Sequence, residues 1–151
     1  MKPKFHALLG FILATLLYLF FPQVDLLWAI LIFISSFAID FDYYLYYWWK
    51  TGNLSLLGTY KFARKRKEKY CSLSESKRNK SFRAYRIFHG VEILILLLAL
   101  GRYTWSGFYA ILIGASLHLI LDWVCDAISN VRQDRISVVW SFMRLKKLKE
   151  I

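Results

Sequence analysis

The chain has 151 residues, of which 58% are hydrophobic, and a mean hydropathy of +0.38; this excludes an ordinary soluble domain, whose apolar share is about one half. The length leaves no room for a second folded core. The formal charge of +11 lies almost wholly outside the apolar stretches, so it speaks first to topology and only then to partners.

The first apolar stretch, FHALLGFILATLLYLFF, predicts a helix over 5–21. Its basic tip resembles a secretory signal, yet no small-residue cleavage site follows before Pro22, so a retained helix is expected. LLWAILIFISSFAI and its aromatic continuation DFDYYLYYWWK predict a second helix over 25–49. A basic loop over 50–85 follows, with one short surface helix expected near 60–70 and a flexible portion at CSLSESKRNKS. VEILILLLALGRYTW and FYAILIGASLHLILDWVC predict helices over 86–105 and 107–127. The tail 128–151 contains RISVVWSFMRLKKLKE, read as an interfacial amphipathic helix, with a docking surface for a soluble partner as the second reading. The expected fold is all-α: an integral membrane four-helix bundle with a basic cytoplasmic loop and an amphipathic C-terminal tail.

Twenty of the 21 basic residues lie before the first helix, from Lys50 to Arg86, or from Arg132 to Lys149, and an even number of spans puts all of these on one side. Only Arg102 lies by the opposite turns. The positive-inside rule then places both termini and the central loop in the cytoplasm. KFARKRKEKY would also hold anionic lipid headgroups; nucleic acid is the weaker use of such a patch. Cys71 and Cys125 are far apart in sequence, form no CxxC pair and are expected to be reduced.

Counted from the turn at Pro22 and Gln23, His6 and Asp40 are each 17 positions away, about 25 Å along their helices. Counted from the turn near Tyr103 and Thr104, His89 and His118 also come out level. All three histidines, with Asp40, Asp42 and Asp122, therefore converge on one layer at the cytoplasmic end. His118 and Asp122 share a helical face, Asp126 continues it, and Glu92 follows His89 by three. Imidazoles mixed with carboxylates suit a divalent transition metal: zinc first, with manganese or iron as alternatives, as one or two ions. Taken singly, each residue has a plainer reading. A histidine at a helix end is commonly interfacial, Asp40 and Asp42 could be a helix-end pair, and the tyrosines and tryptophans of YYLYYWWK suit a membrane interface.

KFHALLGF, AIDFDYY, RIFHGVE and HLILDWVCD together resemble the membrane-bound metal-dependent hydrolases of bacteria and archaea, a group that includes an inner-membrane protein described as LexA-binding. The resemblance spans residues 5 to 126. It implies metal ligands at His6, Asp40, Asp42, His89, His118 and Asp122, and a distant likeness to the zinc-dependent phospholipase C and P1 nuclease group. Tyr43 stands where the family has a histidine, and AYRIFH carries one histidine where the family has two, so one or two metals are expected rather than three.

The leading expectation is a phosphoesterase-like hydrolase at the cytoplasmic interface acting on a lipid or phosphorylated substrate. Glu92 or Asp126 would take a proton from water and Arg86 would steady a phosphate. The alternative is a non-enzymatic membrane adaptor whose structural metal ties the helices together, while its basic segments recruit lipid or a cytosolic protein. Ion translocation fares worst, because FILATLLYLF and EILILLLAL offer no polar path.

Overall fold

The structure is a computed structural model that describes residues 3–78, 81, 82, 88–128, 137–139, 143, 149 and 150. Its described part is all-helical apart from one two-residue parallel ladder. Helix α1 spans Pro3–Phe20, α2 Leu26–Ala38, α3 Phe41–Thr51, α4 Leu56–Cys71, α5 the single turn Glu75–Arg78, α6 Val91–Tyr103 and α7 Gly107–Ile128. The ladder pairs Ser81–Phe82 with Lys149–Glu150.

Local chemistry sets these limits. Asp25 starts α2 by accepting the Trp28 N–H at 2.8 Å, and Ser55 starts α4 by accepting that of Gly58 at 3.1 Å. Gly52 ends α3 at φ 67°, a left-handed conformation that glycine adopts without a Cβ clash.

Helix α2 lies between α1 and α7, and α6 packs on α7. Two close approaches require glycine. A Cβ on Gly10 would fall 1.8 Å from Ser36 Oγ, and one on Gly114 would fall 2.2 Å from the Ile32 carbonyl oxygen. Ala14, Ile32 and Ala110 form one buried apolar cluster, and Ile39, Leu97 and Ala115 form a second nearer the polar end. The outward faces are apolar as well: Phe11, Leu19, Ile30, Leu98 and Ile120 are all exposed.

Among the described residues, α7 alone is long and apolar enough to cross a membrane. Helices α2 and α3 meet the same criterion only when taken together, and they are bent by 44° at their junction. The chain therefore departs from a single helix over 25–49. Asp40, Asp42 and Tyr43 bond back three residues rather than four, to Phe37, Ile39 and Asp40, and this tightens the backbone into a bend. The third helix departs too: it starts at Val91, so Phe88, His89 and Gly90 form a bend before it and Glu92 shares no helical face with His89. The surface helix expected near 60–70 is α4. Most of the tail 128–151, including most of its expected amphipathic helix, lies outside the described residues.

Candidate metal centre

Each of the four longer apolar segments brings a polar side chain to one place. His6 comes from the first turns of α1, Asp40 from the bend between α2 and α3, His89 from the bend before α6, and His118 and Asp122 from successive turns of α7. His6, His89, His118 and Asp122 are buried, and Asp40 is half-buried. The His6 and His118 rings stack at 4.0 Å between centroids, and the His89 ring meets His118 edge-on at 5.2 Å.

The donor atoms point at one another across a small gap. His6 Nε2 lies 3.3 Å from Asp122 Oδ1, and His89 Nε2 lies 3.6 Å from Asp40 Oδ1 and 3.8 Å from Asp122 Oδ2. His118 Nε2 lies 3.8 Å from Asp40 Oδ1 and 3.9 Å from Asp122 Oδ2. Ligands bound at about 2.1 Å to a tetrahedral zinc stand about 3.4 Å from one another, so the spacing suits a shared cation. Two overlapping groups, His6 with Asp40 and His118, and His89 with His118 and Asp122, each hold their ligand atoms within 4.8 Å of one another. His118 belongs to both.

Both nitrogens of His6 and the Nε2 of His118 are buried without a hydrogen-bond partner. Each such atom costs about 1–3 kcal/mol if left so, and a cation would take up the one lone pair that each neutral ring offers. These buried groups could hold a metal ion.

The outer nitrogens of His118 and His89 are committed elsewhere. His118 Nδ1–H donates to the Ser36 carbonyl oxygen at 2.8 Å. That carbonyl is available because the bend at Asp40 diverts the Asp40 N–H to Phe37, three residues back. The helix break and the histidine orientation are thus one feature. His89 Nδ1–H donates to Asp42 Oδ2 at 2.8 Å, and the same oxygen accepts the Phe88 N–H at 2.9 Å. With Nδ1 protonated on both rings, each Nε2 keeps its lone pair for the gap.

Of the residues expected from sequence, His6, Asp40, His89, His118 and Asp122 are brought together. Asp42 is buried behind His89 and belongs to neither group. Glu92 is engaged elsewhere: its carboxylate accepts from Ser137 Oγ–H and from the N–H groups of Val138 at 2.9 Å and Val139 at 3.2 Å. Asp126 is half-buried one turn beyond Asp122 and also belongs to neither group. Arg86 lies outside the described residues. The Ser36 carbonyl lies outside the set expected from sequence. The signal for it was the Ser35–Ser36 pair, whose hydroxyls bond back to the carbonyls of Leu31 and Phe33 at 2.7 and 2.6 Å and loosen the helix end.

No family model, curated protein or solved structure matches this chain.

Proposed function

We propose that this chain is an integral membrane, metal-dependent hydrolase of the phosphoesterase type, acting on a lipid or another phosphorylated substrate. The observation that carries the reading is the set of three buried histidines with buried Asp122 and half-buried Asp40, in which nitrogens of His6 and His118 lack hydrogen-bond partners. In this reading His6, Asp40, His89, His118 and Asp122 hold one or two ions, zinc by preference, and Asp42 orients His89. A divalent metal held there supplies an activated water and polarises a phosphoryl oxygen.

The remaining roles fall to side chains. Asp40, whose side chain is 20% exposed against 10% or less for the other four, marks the side from which substrate approaches. Asp126, on the face of α7 that carries His118 and Asp122, is assigned as the proton acceptor. Glu92, held by the 137–139 segment, is withdrawn from that role.

The membrane arrangement has α1, the bent pair α2 and α3, α6 and α7 as four spans, with both termini and the basic loop cytoplasmic. The exposed apolar outer faces and the one-sided distribution of basic residues support it. About fifteen residues separate Asp25 from Asp40, or about 22 Å of helix, against a hydrocarbon core of about 30 Å. The cluster then lies about 8 Å inside the cytoplasmic edge of the hydrocarbon, on the side of the headgroups that carry the lipid phosphoester.

The test pairs metal content with hydrolysis. Mass spectrometry of detergent-purified protein is expected to find one or two equivalents of transition metal, lost in a His118→Ala, Asp122→Ala double variant. The metal-loaded wild type is then expected to release phosphate or phosphoester product from mixed phospholipids, and the variant is not. Absence of metal after loading with zinc or manganese would end the reading. Metal without turnover of any lipid phosphoester would leave a structural ion in a membrane adaptor.

A further inference from the structure

Helices α3 and α4 form a hairpin that leaves the main bundle at the 44° bend. Its two helices are held by their own aromatic interface. Tyr46 and Tyr47 are buried with their rings 6.2 and 5.4 Å from Phe62, and the Arg66 guanidinium lies 5.4 Å over Tyr46 and 5.3 Å over Phe62. Gly58 runs against Tyr47, where a Cβ would fall 2.4 Å from the hydroxyl oxygen. Tyr44 Oη–H donates to the Leu54 carbonyl at 3.1 Å and fastens the turn.

The outward side divides by chemistry along its length. At the tip Trp48, Trp49, Leu54, Leu56 and Leu57 are 50%, 68%, 61%, 74% and 63% exposed, too many large apolar groups together for a surface facing water alone. Along the shaft of α4, Lys61, Lys65, Lys67 and Lys69 are exposed, while the one acid of that helix, Glu68, pairs with Arg64 at 2.8 Å. The shaft therefore carries a net positive face next to an apolar tip.

Helix lengths say where that tip lies. About 22 Å of chain runs from Asp25 to Asp40. The eleven residues of α3 add about 16 Å of helix, of which about 12 Å is along α2 after the bend. The total of about 34 Å puts the backbone of the tip only about 4 Å beyond the hydrocarbon boundary, within reach of its exposed tryptophan and leucine side chains.

We propose that the α3–α4 hairpin is a membrane-anchoring element: its apolar tip enters the cytoplasmic leaflet and the cations of α4 hold anionic lipid headgroups. The apolar tip beside a cationic shaft matches a negatively charged bilayer surface in both its chemistries. The proposal rests on the membrane arrangement above, but not on hydrolysis or on metal. It places a headgroup-binding face on the element that begins at Asp40, so lipid captured by the hairpin is held beside the proposed site.

The test uses full-length protein with Cys71→Ser and Cys125→Ser, spin-labelled through Leu57→Cys or, separately, Leu98→Cys on the outer face of α6. Each is reconstituted in nanodiscs of phosphatidylcholine alone or with phosphatidylglycerol, and the label's collisions with oxygen and with a water-soluble nickel chelate are compared. The Leu57 label is expected to meet oxygen in preference to nickel, more so in the anionic membrane. Lys61→Glu, Lys65→Glu and Lys67→Glu together are expected to lower the ratio of immersed to free hairpin by about a hundredfold, at about fivefold per cation removed. A Leu98 label in water would overturn the membrane arrangement and this proposal with it. A Leu98 label in lipid with the Leu57 label in water would overturn this proposal alone. Equal immersion in both membranes would overturn the headgroup recognition, and a Leu57 label shielded from both reagents would replace it with a protein contact.

Discussion

Asp42 accepts two hydrogen bonds through one oxygen, and this makes it the residue on which the orientation of His89 turns. Removing such an outer partner of a metal-binding histidine typically costs about 10–100-fold in metal affinity. If the cluster holds the proposed metal ion, Asp42→Ala is therefore expected to weaken its binding by about that factor while leaving the donors in place, measured by competition with a chromophoric chelator. Loss of binding as complete as in His118→Ala would instead make Asp42 a ligand. Gly114 is the corresponding position for packing. Gly114→Ala sets a methyl 2.2 Å from the Ile32 carbonyl oxygen, which cannot move without shifting α2. We expect a loss of about 1–3 kcal/mol, seen as a lower unfolding midpoint in detergent. An unchanged midpoint would mean that α2 yields to the added methyl without loss of packing.

At the scale of elements, the bend between Ala38 and Phe41 has the largest consequence. A continuous helix would return the Ser36 carbonyl to the Asp40 N–H and leave His118 Nδ1 without its acceptor. The bend also turns Asp40 and Asp42 apart, one toward the gap and one behind His89. The cap at Asp25 gives a contrast, because it lies at the other end of α2. Asp25→Ala is expected to cost about 1 kcal/mol of stability with no change in metal affinity. A change in metal affinity would show that the two ends of α2 are coupled.

For the molecule as a whole, the predictions concern metal linkage and topology. A ligand that binds the folded state alone stabilises it by about 4 kcal/mol at a thousandfold excess over its dissociation constant. Chelation is therefore expected to lower the unfolding temperature of the wild type and to leave that of the His118→Ala, Asp122→Ala variant unchanged. If chelation shifts both equally, the stabilising ion sits elsewhere. For topology, alkaline phosphatase fused after Glu150 is expected to be inactive and a fusion at Trp105 to be active in bacterial cells, because that enzyme matures only outside the cytoplasm. The reverse pattern would invert the proposed orientation.

The sequence alone determined the helical class, the positions of the apolar segments and the level at which the histidines meet. Hydropathy and the rise per residue are local quantities that survive folding unchanged. His6 with Asp40, and His89 with His118, could be matched by counting from two turns because antiparallel neighbours advance at the same rate. What only the tertiary structure decided was the division of labour among carboxylates. Asp40 and Asp42 differ by two residues in an apolar and aromatic context, with no proline or glycine to announce a break. The carbonyl that the bend frees is taken up by a histidine 82 residues away, and Glu92 is drawn off by a segment 45 residues away. Such long-range hydrogen bonds leave no periodic trace in a sequence, because both partners are chosen by the packing of helices that the chain brings together only when folded.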